Sequence, residues 1–231
     1  RQNESIDAVV LKVDSPGGSA AASERLYLAV KRTANEMPVT ASVGATGASG
    51  AYYAMLPASQ IYVTPASVVG SVGVIGSEPA PVPDSALRSG PDKASGTADQ
   101  ARRQIETLQR AFVGTVVSER GDRLEVSRAE VAHAKVYTGA RAVQNGFADR
   151  VGPLDAAIQR AADEAGLDDY DVVEKEPPRR GGLFLLSTDD GNRTVVVEES
   201  PVGYDGVETR QFLMVYGTVQ YEEEVIGNVS G

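Results

Sequence analysis

Two short apolar runs, Asp7-Ala8-Val9-Val10-Leu11-Lys12-Val13 and Val39-Thr40-Ala41-Ser42-Val43, each lead into a loop of small residues and then into a helical segment. The first run is almost continuously apolar, as a strand covered on both faces requires, and the second reads as a buried β-branched strand. A third run, Ser59 to Thr64, and a fourth through Val68-Val69-Gly70-Ser71-Val72-Gly73-Val74-Ile75-Gly76 continue the alternation. Strand, helix, strand, helix, strand at this spacing predicts an α/β chain with a largely parallel sheet. The helix after the first loop runs from Ala20 to about Glu36, with Leu26, Ala29, Val30 and Thr33 spaced to face the core. Both loops, Pro16 to Ser19 and Gly44 to Gly50, fall at the carboxyl ends of strands, where open α/β sheets bind their ligands. Neither carries a phosphate-loop spacing.

The second loop carries the sharpest chemical suggestion. The strand is expected to break at Gly44-Ala45-Thr46-Gly47-Ala48, and Ser49-Gly50 to open a helix over Ala51-Tyr52-Tyr53-Ala54-Met55-Leu56. A serine at such a turn can expose its hydroxyl and leave its own N–H free, among neighbours small enough for a substrate backbone to approach. The competing reading is a tight turn in which Ser49 is only the helix N-cap. Both stand on this stretch alone.

Farther along, Ser77 to Gly96 is rich in Pro, Ser, Gly and Asp and reads as a loop carrying Lys93. A long amphipathic helix is predicted from Thr97 to Arg120, with Ile105, Leu108, Phe112, Val113 and Val116 on one side. Ser127-Arg128-Ala129-Glu130 has the form of a capping box. Val136-Tyr137-Thr138-Gly139 turns into a helix closed by Gly146, and Asp155 to Ala165 forms another that ends at Gly166. Residues 174–182 (EKEPPRRGG) have linker composition. The expected organisation is therefore an α/β domain over 1–173, a linker over 174–182 and a small β-rich appendage over 183–231, whose strands are placed at Leu183–Leu186, Thr194–Val197 and Phe212–Tyr216 and whose edges are free to pair with another chain.

Composition narrows the function. A formal charge of −10 argues against a nucleic-acid surface. Five lysines stand against 17 arginines, and an acidic, lysine-poor surface suggests adaptation to high salt. With no cysteine and one histidine there is no thiolate chemistry and little material for a metal site. No run reaches the length of a membrane span. A chain starting at Arg1 reads as a fragment whose targeting segment lies upstream.

A serine nucleophile needs a base. His133 lies on a downstream helix and nothing in the pattern pairs it with Ser49. A lysine serves if it is held neutral. Lys12 sits in a strand, Lys31 on a polar helix face and Lys175 in the linker, which leaves Lys93 and Lys135. Three blocks then stand out in order: Val13-Asp14-Ser15-Pro16-Gly17-Gly18-Ser19, Gly44-Ala45-Thr46-Gly47-Ala48-Ser49-Gly50-Ala51-Tyr52-Tyr53, and Gly70-Ser71-Val72-Gly73-Val74-Ile75-Gly76. A fourth stretch runs from Lys135-Val136-Tyr137-Thr138-Gly139 to Gly146-Phe147-Ala148-Asp149-Arg150-Val151-Gly152. Together they resemble the signal peptide peptidase A family, Ser/Lys-dyad peptidases of the ClpP/crotonase fold, over about Asp7 to Gly166.

The resemblance implies that Ser49 is the nucleophile, Lys93 the general base, Gly17 and Gly50 the oxyanion-hole donors and Ser71 the residue that orients the lysine. It places Lys135 in a structural block, so Lys135 is set aside. It implies no cofactor and no metal, apolar peptide substrates such as signal-peptide remnants, a homo-oligomer, and membrane association through an upstream anchor. Two departures are visible: residues 78–88 are shorter than the family's counterpart, and Ala94 stands where an acidic residue is common. Two other functions remain open, a catalytically silent membrane-associated scaffold and a crotonase-like acyl-CoA enzyme.

Overall fold

A computed structural model describes residues 6–76, 89, 97–175, 185–187, 193–195 and 212–215. The β-branched runs form the strands the pattern demands. β1 (Val9–Ser15) leads into β2 (Gly17–Ser19), α1 (Ala20–Ala34), β3 (Val39–Ala48), α2 (Gly50–Met55), β4 (Gln60–Val63), β5 (Val68–Gly70) and β6 (Ile75–Gly76). β3 is the hub. Val39 to Val43 pair in parallel with Val9 to Val13 of β1, and Thr40 to Val43 with β4 on the other edge. Farther along, Thr46 to Ala48 pair in parallel with β5. Five successive residues of β3, Val39 to Val43, are buried, as a strand covered on both faces must be.

The second half supplies α3 (Ala98–Arg120), α4 (Arg128–Val131), β7 (Val136–Thr138), α5 (Gly139–Gln144), β8 (Arg150–Val151) and α6 (Leu154–Ala165). β8 extends the sheet in parallel beside β4, whereas β7 runs antiparallel to β5. Thr97 caps α3 by accepting from the Gln100 N–H, and Ser127 caps α4 by accepting from the Glu130 N–H. Gly146 and Gly166 take positive φ after α5 and α6, as expected of C-terminal glycines. On α3, Phe112, Val113 and Val116 are buried as predicted, and Arg120 joins them. No helix among the described residues is long and apolar enough to cross a membrane.

Several elements depart from expectation. The core face of α1 is Ser23 and Tyr27, with Val30 and Ala34 half-buried behind them, while Leu26 is 57% exposed. The stripe is rotated because Tyr27 sends its hydroxyl to Glu119 on α3 while its ring packs on Tyr53. β3 does not break at its glycines. It continues to Ala48, because pairing on both edges (Gly47 with Ser15 and with Val69) outweighs the poor strand propensity of Gly and Ala.

The chain divides into two compact units, Arg1–Asp168 with Gln211–Gly231, and Asp169–Arg210. The second contains the antiparallel pair β9 (Leu185–Ser187) and β10 (Arg193–Val195). β11 (Phe212–Val215), which the sequence grouped with the appendage, belongs to the first unit. It pairs antiparallel with β2 and with β6 of the same chain.

Candidate active site

Ser49 sits directly after β3, where the chain turns into α2. Its backbone is at φ 53°, ψ −120°, a region a non-glycine residue enters only when its surroundings hold it there. Two hydrogen bonds do so. The Ser49 N–H donates to the Gly70 carbonyl at 2.8 Å, and the Ser49 carbonyl accepts from the Tyr53 N–H at 2.9 Å. The expectation of a free N–H and an exposed hydroxyl is therefore corrected: the N–H is spent on the sheet and the residue is fully buried. The side chain makes no capping bond to α2, and its Oγ has no hydrogen-bond partner among the described residues. A buried hydroxyl left without a partner is costly, and such groups concentrate where chemistry is done.

Around Ser49 the side chains are small because the backbones are close. A Cβ at Gly47 would lie 2.9 Å from a Val43 methyl and 3.1 Å from the Met55 methyl. One at Gly50 would strike the Ser23 hydroxyl and lie 3.2 Å from the Gly18 nitrogen. Gly17, at φ 113°, brings its backbone against Gly50 in a conformation that side chains resist. Its N–H is engaged by Ser15 Oγ at 3.2 Å. Asp14 Oδ1 accepts from the Thr46 N–H at 3.0 Å, tying the loop after β1 to the far half of β3. Asp14, Ser15 and Ser23 were given no role in the sequence reading; for Asp14 and Ser15 the signal available was a short polar residue at the end of a buried strand, whereas Ser23 lies inside α1.

Ser71 follows β5 as Ser49 follows β3, on the neighbouring parallel strand with Gly70 in register with Ala48. It too has a positive φ, 55°, and its N–H donates to the Lys135 carbonyl at 2.8 Å. The two serines thus stand at adjacent strand ends. Lys93 lies outside the described residues. Of the other lysines, Lys31 bonds Glu119 at 2.6 Å and Lys135 bonds Glu130 at 2.7 Å. These carboxylates raise both lysine pKa values, opposite to what a general base needs. Lys12 and Lys175 are exposed. His133 is exposed on the side of Glu130.

The family model for peptidase family S49 matches residues 31–80 and 92–168, more than half of the chain. A putative protease of Synechocystis sp. is 31% identical over 206 residues, covering 78% of this chain and 74% of the relative. Protease 4 of Salmonella typhi is 32% identical over 201 residues, covering 77% of this chain but only 32% of the relative, so the chain spans about a third of that protein. Among solved structures, a mutant of ClpP1 from Listeria monocytogenes superposes with a TM-score of 0.47 at 11% identity, over 66% of this chain and 77% of that one. By the family model and the Synechocystis relative, the chain belongs to peptidase family S49, a family of serine peptidases.

Proposed function

We propose that the chain is the peptide-cleaving core of a serine endopeptidase acting through a Ser/Lys dyad, Ser49 with Lys93. The observation that carries this reading is Ser49 itself: fully buried, held at a positive φ, without a capping bond and without a partner for its Oγ. In this reading neutral Lys93, oriented by Ser71, takes the Ser49 proton as Oγ attacks a peptide carbonyl. The N–H groups of Gly17 and Gly50 receive the oxyanion, the leaving amine takes the proton, and water then hydrolyses the acyl-enzyme. The Gly17 N–H must exchange its bond to Ser15 Oγ for the developing charge.

Substrates in this reading are apolar peptides, including signal-peptide remnants, bound by a homo-oligomer tethered through a segment upstream of Arg1. The test is hydrolysis of an alanine-rich fluorogenic peptide at high salt, with labelling by a serine-directed fluorophosphonate. Ser49→Ala is expected to abolish both. Lys93→Ala is expected to lower kcat by at least about 100-fold, in the range of lost general-base catalysis, with the fold retained by circular dichroism. Hydrolysis that survives Ser49→Ala would overturn the assignment.

A further inference from the structure

α1 turns a serine to the core directly after three alanines. Ser23, in the run Ala20-Ala21-Ala22-Ser23, is 3% exposed and shares the buried face of the helix with Tyr27. A hydroxyl buried inside a helix is costly unless it answers a nearby carbonyl. Ser23 answers one: its Oγ donates to the Ser19 carbonyl at 3.0 Å, one turn back. Ser19 is both the last residue of β2 and the N-cap of α1. The bond therefore fastens the helix to the strand that begins at Gly17.

The same oxygen faces the residue after the nucleophile. A Cβ on Gly50 would strike Ser23 Oγ and lie 3.2 Å from the Gly18 nitrogen. On that side Gly50 has room for a hydrogen and nothing larger. A Cβ on Gly17 would lie 2.8 Å from the Gly50 nitrogen, so β2 and Gly50 are close neighbours through their backbones. Ser23 Oγ bridges the two segments that carry the proposed oxyanion donors, bonded to one and packed against the other. α1 and α2 are also joined farther along, where Tyr53 donates its hydroxyl to Glu24 Oε2 at 2.5 Å and the Tyr27 and Tyr53 rings pack with centroids 4.9 Å apart. Those contacts hold the helices together without touching the donors. Loss of the Ser23 hydroxyl leaves them in place and frees only the end of α2 that carries Gly50.

We propose that Ser23 is a positioning residue for the oxyanion hole: its hydroxyl sets how far Gly50 stands from β2, and so where the Gly17 and Gly50 N–H groups meet the developing charge. The inference rests on the reading of Ser49 as nucleophile and of these two glycines as donors. In this role Ser23 acts through Ser19 and Gly50 and takes no part in bond making. Donors aimed at a tetrahedral oxyanion favour the transition state over the planar carbonyl of the bound peptide. The loss on removing their spacer therefore falls on kcat and leaves KM in place.

The experiment compares Ser23→Ala, Ser23→Thr and Ser23→Val with the parent and Ser49→Ala in the full chain. It reads hydrolysis of the alanine-rich peptide and the rate at which the fluorophosphonate labels Ser49. Ser23→Ala is expected to lower kcat and the labelling rate at least about tenfold, short of the roughly 100- to 1,000-fold cost of losing a donor outright, with KM within about twofold. Thr keeps a hydroxyl that can bond the carbonyl four residues back, and Val has the same shape without it. The kcat of Ser23→Thr should exceed that of Ser23→Val at least about tenfold, and this ratio decides the matter if Ser23→Ala fails to fold. Tyr27→Phe removes the bond from the same helix to Glu119 and should lower the urea midpoint while leaving kcat within about twofold. A Ser23→Ala kcat within about threefold of the parent, equal rates for Thr and Val, or a kcat loss matched by Tyr27→Phe would overturn the positioning role and leave Ser49 standing as nucleophile. A parent that is neither labelled nor active would overturn both readings together.

Discussion

Arg120 offers a quantitative test of what holds the frame around Ser49. Its side chain is fully buried at the end of α3, yet each nitrogen of the guanidinium has a partner. Nε donates to the Gly146 carbonyl at 2.7 Å, and Nη1 and Nη2 grip the two oxygens of Asp149 at 2.9 and 2.8 Å. Asp149 in turn accepts from the Ile61 N–H at 2.7 Å and donates its own N–H to the Ile61 carbonyl at 2.9 Å, so the pair locks α3 to β4. Arg120→Met keeps the apolar stem but leaves the Asp149 carboxylate, 8% exposed, with Arg123 at 3.4 Å as its remaining cation among the described residues. Breaking a buried pair from one side costs about 3–5 kcal/mol, and the 42%-exposed Arg123 recovers only part of that. With a urea m-value of about 2 kcal/mol/M, the full cost would lower the midpoint of unfolding by about 1.5–2.5 M, and what Arg123 recovers brings the expected fall to about 1–2 M. Adding Asp149→Asn removes the orphaned charge and keeps an acceptor for Ile61, so the double variant should lose less than Arg120→Met alone. The assay is urea unfolding followed by far-UV circular dichroism on all variants. A midpoint shift below about 0.5 M for Arg120→Met, or a double variant less stable than the single, would refute the argument that the charge pair is enclosed.

Two further outcomes are expected. Gly47→Ala puts a methyl 2.9–3.1 Å from Val43 and Met55; it should destabilise by about 1–3 kcal/mol and lower peptide hydrolysis, because Ser49 is two residues on, with urea unfolding and steady-state kinetics as the readouts. Burial first, and then the hydrogen bond to Glu24, push the Tyr53 hydroxyl up to about 12. The folded state therefore holds that proton more tightly than the unfolded chain does. The associated stability is fully present below about pH 10 and is lost as the pH rises toward 12. Tyr53→Phe should flatten that alkaline decline, measured by urea unfolding between pH 8 and 11.5.

Much of the frame was legible because its signals are local. Thr97, Ser127, Gly146 and Gly166 mark helix ends by their own hydrogen bonds or backbone angles, and each sits where it was expected. The Ser49 turn was legible from the small residues on both sides of it. What escaped was set by distant partners. The rotation of α1 that exposes Leu26 depends on Tyr27 reaching Glu119 on α3. The persistence of β3 through Gly44–Ala48 depends on ladders with β1 and β5. The burial of Ser49 and the engagement of its N–H depend on Gly70, and the placement of β11 depends on a gap made by β2 and β6. No window of neighbouring residues contains these facts.

The strand ends that hold the two serines impose an order of events on synthesis. The Ser49 N–H is anchored by Gly70, and the next residue, Ser71, is anchored in turn by the Lys135 carbonyl just ahead of β7. A nascent chain that has emerged through Ser71 carries both serines but not the strand that braces the second one, which follows some sixty residues later in the sequence. Ser49 is written early, and the strand that braces its neighbouring turn is written late. A ribosome-bound fragment ending before Lys135 therefore has Ser71 without its backing, and the pair of turns is braced on both sides only when the second half of the sheet has been delivered.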